Sequence, residues 1–317
     1  MTIVPIFADA KALSEPAKLL IEKFSDMFGV LYEPTRVRRL AAANADATRI
    51  EAEAKVDALT TQAKGEIAVS DLHRRAFIRW AKAEARNQEN LEAIESHAVD
   101  ILESEKRGEL AEGVPPKNPP SDDWIAQFVD AAKATSDEQM RLLWAKLLAG
   151  EFATPGRFSK RTVNIIATLE PQDAADFAHL CRFTWEVDSL CPLIYGLDGS
   201  IYLENGITFD FLQNLDALGL IHFTWNRMNH VRFESAWQNI GISYFGERFK
   251  FRGPVRQIST GQVRFTKVGQ ELLTICGSEP IPGYIEYILQ WHLPQGLERG
   301  YCSLASEITP RTFHVDT

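Results

Sequence analysis

The chain has 317 residues, 45% of them hydrophobic, enough for two or three domains with buried cores. A net charge of −9 and a pI near 5.4 argue against a generic polyanion binder. No stretch approaches the roughly 18 apolar residues of a membrane span, and the N-terminal MTIVPIFADAKAL carries Asp9 and no basic leader of a secretory signal. Four cysteines (Cys181, Cys191, Cys276, Cys302) without a C-x-x-C pair predict reduced thiols in a cytoplasmic protein.

In chain order, the first predicted element is a helix in LSEPAKLLIEKFSDMFGVLY. Ser14 is placed to cap it, Pro16 sits in its first turn, where a missing N–H costs nothing, and Gly29 suits its end. Leu19, Leu20, Lys23, Phe24, Met27 and Phe28 follow, with Phe24, Met27 and Phe28 on one face. The polar side carries Glu22 and Asp26, so this face predicts packing on another helix and not an anionic lipid surface.

Residues 35–112 contain no proline and are rich in Ala, Glu, Lys and Arg, the composition of long helices. Pro34 and Thr35 give a start signal. Val37, Leu40, Asn44, Ala47, Ile50, Ala54 and Ala58 form a thin seam, as in a coiled coil or a close helical hairpin. Gly65 and VSDLHRRAF predict a break or a change of face. Leu91, Ile94, Ala98, Ile101 and Leu102 continue the stripe. An unbroken helix here would reach roughly 100 Å. Its seam must be buried, either on a second copy or partner helix or by folding back on itself. EGVPPKNPPSDD, residues 112–123, is a stiff Pro-rich connection. The resulting plan is an amphipathic segment and helical arm over 1–112, a linker over 113–120, a central helical domain over 121–200, and an α+β module over 201–317.

In the central domain, Ser121 or Asp122 is placed to cap DWIAQFVDAAKAT, which presents Trp124, Ile125, Phe128, Val129 and Ala132. Ser136 followed by Gln139 has the spacing of a capping box, and Met140, Leu143, Trp144, Leu147 and Leu148 then share one face. Pro155-Gly156 is a turn, Ser159 caps KRTVNIIATL, and a further helix starts near Pro171 in EPQDAADFAHLCRFTWEV. The stretch LWAKLLAGEFATPGRFSKRT, residues 143–162, is the most distinctive in the chain. Together with D-W…F…A upstream and L-E…D-A-A-D-F downstream, it resembles a bacterial family known as domain of unknown function 2806, over roughly Asp122–Phe183. FGVLYEPTRVRRLAAANADA is similar to the helical lead-in of that family and of abortive-infection-like proteins. The resemblance implies a bacterial cytoplasmic protein, with defence against phage as a suspected role and no catalytic residues to carry over. Trp124, Trp144, Leu148, Pro155, Gly156 and Ser159 are the motif residues with a structural reading.

The last region predicts a helix with Phe211, Leu212, Leu215 and Leu218 ending at Gly219, then strands in LIHF, HVRFES, IGISYFG, RFKFRG and QVRFT, then a helix capped by Thr266. A helix closing on LGLI, a strand-rich wing and an LTxxGxxL-like FTKVGQELL are laid out as in a winged helix. The fold class is therefore mainly α with a smaller winged-helix-like α+β module. From Gly219 to Gln270 eight cations face two acids, Glu234 and Glu247, for a local charge of +6. Arg248, Lys250, Arg252, Arg256, Arg264 and Lys267, interleaved with Phe245, Phe249, Phe251 and Phe265, are candidates for a nucleic-acid backbone. Plain strand alternation, apolar in and charged out, produces the same RFKFR pattern. The cations could also answer the acids Glu84, Glu89, Glu92, Glu95, Asp100, Glu103 and Glu105 of the arm.

No phosphate loop, nucleophile elbow, H-E-x-x-H or calcium-loop motif occurs. LDGS and LENG read as turns. His179 and Cys181 read as core residues, with no second ligand pair nearby, and His222 and His230 flank a predicted hairpin across which they could meet. Ser159, Lys160 and Arg161 offer an anion a helix start, against the simpler role of Ser159 as a cap. The reading is a non-enzymatic interaction or assembly protein without cofactor or metal, with a nucleic-acid-binding regulator as the alternative.

Overall fold

The structure, a computed structural model, describes residues 13–28, 67–108, 119–187, 189–237, 241–251, 255–292 and 297–299. The seam over Val37–Ala58, Gly29, and most of the Pro-rich linker lie outside these residues. The chain divides into two compact units, Met1–Ala167 and Thr168–Thr317.

The first unit is helical: α1 (Glu15–Phe28), α2 (Ile67–Gly108), α3 (Asp122–Ala132), α4 (Glu138–Ala153) and α5 (Lys160–Ile166). Ser14 opens α1 as expected, its Oγ accepting from Ala17 N–H at 3.4 Å. Ala17, Leu20 and Phe24 are buried. α2 is 42 residues long, about 60 Å. VSDLHRRAF lies within α2 without a break, since nothing from Ile67 to Arg107 is Gly or Pro, while Gly65 lies outside the described residues. Leu91, Ile94, Ala98, Val99 and Leu102 bury its second half against α1 and α4. Asn90 stands where that burial begins. Its amide donates to Lys133 O at 2.8 Å, and its carbonyl accepts from Arg141 Nη2 at 2.6 Å. Asp137, one residue after Ser136, caps α4 by accepting from Met140 N–H at 3.0 Å. The anionic side chain suits the positive helix start better than the serine of the expected box.

The second unit holds α6 (Pro171–Cys181), α7 (Ser200–Glu204), α8 (Phe209–Ala217), α9 (Lys267–Cys276) and α10 (Tyr284–His292). Its strands are β1 (Thr184–Val187), β2 (Ser189–Pro192), β3 (Ile221–Phe223), β4 (Asn229–Trp237), β5 (Gly241–Tyr244), β6 (Glu247–Phe251), β7 (Val255–Gly261), β8 (Val263–Phe265) and β9 (Leu297–Arg299). TWEV, read from sequence as the tail of a helix, is β1. Helix α6 stops at Cys181, and the β-branched and aromatic residues beyond it pair instead. One antiparallel sheet runs β2-β1-β5-β6-β9, while β3-β8 and β4-β7 form two ribbons. A parallel bridge joins Ile194 to Gly261. The core is aromatic: Phe183, Trp185, Tyr202, Tyr244, Phe249 and Tyr284 are buried in mutual ring contact. Thr266 caps α9, accepting from Gly269 N–H at 3.0 Å. A Cβ at Gly269 would lie 2.1 Å from Leu220 O, so α9 seats directly on the backbone leaving α8. The molecule is thus mainly helical, with small antiparallel sheets in its second unit. Among the described residues no helix is long and apolar enough to cross a membrane.

Candidate functional site

The distinctive stretch 143–162 forms a corner between α4 and α5. Trp144 is buried, edge-on to Phe128 at 5.3 Å, and its Nε1 donates to Thr135 Oγ1 at 3.0 Å. Leu147 and Leu148 are buried beside it. Pro155 and Gly156 make the turn, Gly156 at φ +87°. The residue that fixes this turn is one the sequence reading passed over. Glu151 is buried, and its two carboxylate oxygens accept from Gly156 N–H at 2.6 Å and Phe158 N–H at 2.8 Å. Gly150 makes room for the returning chain, since a Cβ there would lie 2.8 Å from the Phe158 ring. Trp124 Nε1 donates to Phe158 O at 2.9 Å. Ser159 caps α5, accepting from Thr162 N–H at 3.4 Å. Lys160 and Arg161 are exposed, and Lys160 reaches Asp123 at 3.3 Å. The motif therefore spells a packed, hydrogen-bonded corner. The available signal was a Glu inside a leucine-rich helix: buried carboxylates require paired donors.

The five candidate cations within the described residues fall on four elements. Arg248 and Lys250 lie on β6 with Phe249 buried between them, the alternation a half-buried strand requires. Glu186, Ser243 and Arg248 stand in one row across β1, β5 and β6, where Ser243 Oγ donates to Glu186 at 2.7 Å. Lys250 stands opposite Glu298 of β9. Arg264 lies exposed on β8 opposite His222, Lys267 opens α9, and Arg256 is in β7. Arg252 lies outside the described residues. His222 and His230 do not meet: they sit on different ribbons, opposite Arg264 and Ser259.

No group of three or more His, Cys, Asp or Glu side chains is placed to hold a metal among the described residues. His179 is tied to Asn205 O at 2.6 Å. The buried tyrosines bond backbone: Tyr202 Oη donates to Leu193 O at 2.9 Å, Tyr195 Oη to Ser259 O at 2.9 Å, and Tyr244 Oη to Arg182 O at 2.7 Å. Burial pushes all three phenols up, away from any acid–base role near neutrality. Glu95, half-buried on α2, has its carboxyl pushed up to about 8 by burial first and by Glu92 second.

Among the described residues of the first unit, the first half of α2 carries most of the exposed large apolar side chains. Phe77 is 53% exposed, Ile78 37% and Trp80 61%, with the Phe77 and Trp80 rings 5.7 Å apart. Trp80 lies eleven residues, about three turns, before Leu91, so it continues the line that α2 buries farther on. Arg75, Arg79, Lys82 and Arg86 recur at four-, three- and four-residue steps on another face. The sequence signal was FIRWAK, in phase with Leu91 and Ile94.

A helical unit closed by an acid-clamped corner, followed by a small antiparallel α+β unit, defines a two-part protein whose distinguishing residues are architectural. The chain belongs to the family described as Protein of unknown function (DUF2806), which matches residues 74–289. No curated protein and no solved structure gives a significant match to it.

Proposed function

We propose that this protein is a non-enzymatic assembly protein that associates through the first half of α2. The observation that supports this most directly is the exposure of Phe77 and Trp80 on the same helical line that Leu91, Ile94, Ala98 and Leu102 bury. A soluble helix seldom leaves such a line uncovered, and pairing with a second copy, or with a partner helix, removes it from water. Association fits the cytoplasmic setting predicted from composition, while the phage-defence setting rests on the resemblance alone.

In this reading the second unit is the recognition module. The order α6, Ile194 bridge, α7, α8, β3, β8, α9 supports a winged-helix-like arrangement, with β4 to β7 as an enlarged wing. The nucleic-acid alternative draws support from exposed Arg248 and Arg264. Plain strand alternation about the buried Phe249 accounts for Arg248 and Lys250 and weighs against it.

The test is the solution mass of the full chain, 35.7 kDa as a monomer. Light scattering is expected to give a multiple of that mass, and Phe77→Ser with Trp80→Ser is expected to return it to the monomer with unchanged circular dichroism. A wild-type monomer that captures no partner through these two residues would end the proposal. Duplex binding that weakens steeply with salt and is lost in Arg248→Glu with Lys250→Glu would favour the alternative.

A further inference from the structure

Phe209, Phe223 and Trp225 meet at the surface of the second unit. Phe209 opens α8, Phe223 ends β3, and Trp225 follows two residues later. The Phe209 ring lies 5.5 Å from Phe223 and 5.2 Å from Trp225, at 67° and 82°. Phe223 and Trp225 lie 6.4 Å apart at 81°. A ring packed edge to face covers one face of its partner and leaves the other face open. Open faces here stand in water, since Trp225 is 49% exposed and Phe209 41%.

The chain around Trp225 is tied down. Thr224 N–H donates to Gln262 O at 3.0 Å, and Thr224 Oγ1 donates to Arg227 O at 3.0 Å, closing the turn that carries Trp225. The Gln262 amide nitrogen donates to Trp225 O. The rings are therefore held in place before anything binds, so binding loses little loop freedom.

The charges around the rings are mainly negative. Residues 203–227 hold three acids, Glu204, Asp210 and Asp216, against one permanent cation, Arg227. Asp216 lies seven residues after Phe209, on the same face of α8. Its Oδ1 accepts from Phe223 N–H at 3.3 Å, which sets an exposed carboxylate beside the rings. Oε1 of Gln262 is buried without a hydrogen-bond partner, so its negative end is not neutralised next to the Trp225 backbone. His222 and Arg264 project from the other face of the β3-β8 ribbon, away from Phe223. Among the described residues, Arg157 stacks over Phe158, and no cation of the chain stacks on these three rings.

We propose that this cluster binds an arginine side chain displayed by a partner protein. Ring faces are electron-rich and attract cations, and a planar, weakly hydrated guanidinium stacks on them better than an ammonium. The guanidinium lies on the open face of Trp225 and turns its N–H donors to Asp216. A nucleobase would also stack, but the phosphates that accompany it would meet Asp210 and Asp216. The proposal rests on the second unit being the recognition module, and not on association through α2.

The experiment titrates acetyl-arginine methylamide into the full chain, isotope-labelled at nitrogen. It follows the indole N–H resonance of Trp225, assigned by its loss in Trp225→Phe. The expected result is a saturable shift, with binding about tenfold weaker for the citrulline analogue, which has the same shape and no charge. Asp216→Asn keeps an acceptor for Phe223 N–H and removes only the charge, so it should weaken arginine binding about tenfold with unchanged circular dichroism. Phe209→Ser, at an exposed position, should weaken it comparably. Equal binding of the arginine and citrulline probes overturns the proposal, as does a folded protein whose Trp225 signal the arginine probe does not move. So does tighter binding of adenosine monophosphate, which would mark a nucleotide site, or of tetramethylammonium, which would leave Asp216 without a role. A chain that associates through α2 yet ignores the arginine probe would lose this proposal and keep the other.

Discussion

Glu151 accepts two backbone N–H groups from a turn that would otherwise bury them unpaired. Charge-assisted bonds of this kind are each worth about 1.5–3 kcal/mol. Glu151→Ala is therefore expected to cost about 3–6 kcal/mol in urea unfolding, with Glu151→Gln, which keeps one acceptor, in between. Trp144 loses more by volume: Trp144→Ala removes a buried ring stacked edge-on to Phe128 and should cost about 3–5 kcal/mol. Lys160→Ala, which gives up one exposed ion pair, should change stability by less than about 0.5 kcal/mol. A stable Trp144→Ala protein would contradict the packing described for the corner. At this scale the sequence was legible wherever a side chain has a local job. Ser14, Ser121, Ser159 and Thr266 all cap the helices expected of them. It was not legible at Glu151, whose partners, Gly156 and Phe158, lie at and beyond the turn, outside the reach of helical periodicity.

α2 combines two demands in one helix. Its second half buries a line of apolar residues, and Glu95 stands at the rim of that line with its carboxyl held up to about 8 against an ordinary 4.5. The folded chain therefore keeps this proton to higher pH than the unfolded chain does. Between about 4.5 and 8 the unfolded state binds fewer protons, so stability falls as pH rises across that window. Glu95→Gln removes the charge and should raise Tm by roughly a few degrees at pH 8, with no gain at pH 4, in parallel melts. Partial exposure of the group screens the effect, which keeps the expectation small. An equal gain at both pH values would assign the effect to packing. Periodicity found the buried line Leu91–Leu102 because a helix repeats. It did not show that the line continues uncovered to Phe77, because the pattern of a contact is the same whether or not its partner is in the chain.

At the scale of the whole molecule, the mainly helical character of the chain and several strands of its later part were readable from composition and turn residues. The strands β1, β2, β7 and β9 were not: β1, β2 and β9 are short, and β1, β7 and β9 each take a partner from another part of the chain. β1, for example, pairs with β5 through Glu186 and Ser243. The charge excess of residues 219–270 was a fact of the sequence, but its distribution was not. Pairing places Arg248 in a row with Glu186, and it separates Arg264 onto another ribbon. If α2 mediates self-association, the melting temperature of the wild type should rise with protein concentration. That of the Phe77→Ser, Trp80→Ser double variant should not, which scanning calorimetry across a hundredfold range would resolve.

Gly150 and Gly269 contribute no side chain, yet each stands where another part of the chain arrives at contact distance, the Phe158 ring in one case and Leu220 O in the other. A saturation mutagenesis screen scored by abundance should therefore find these two positions among the least permissive in the protein. Alanine, ordinarily the mildest replacement, should be rejected at Gly269, where the added carbon meets a fixed carbonyl. The same logic gives a way to recognise distant kin: a chain that has drifted at nearly every core position should still leave both spaces empty.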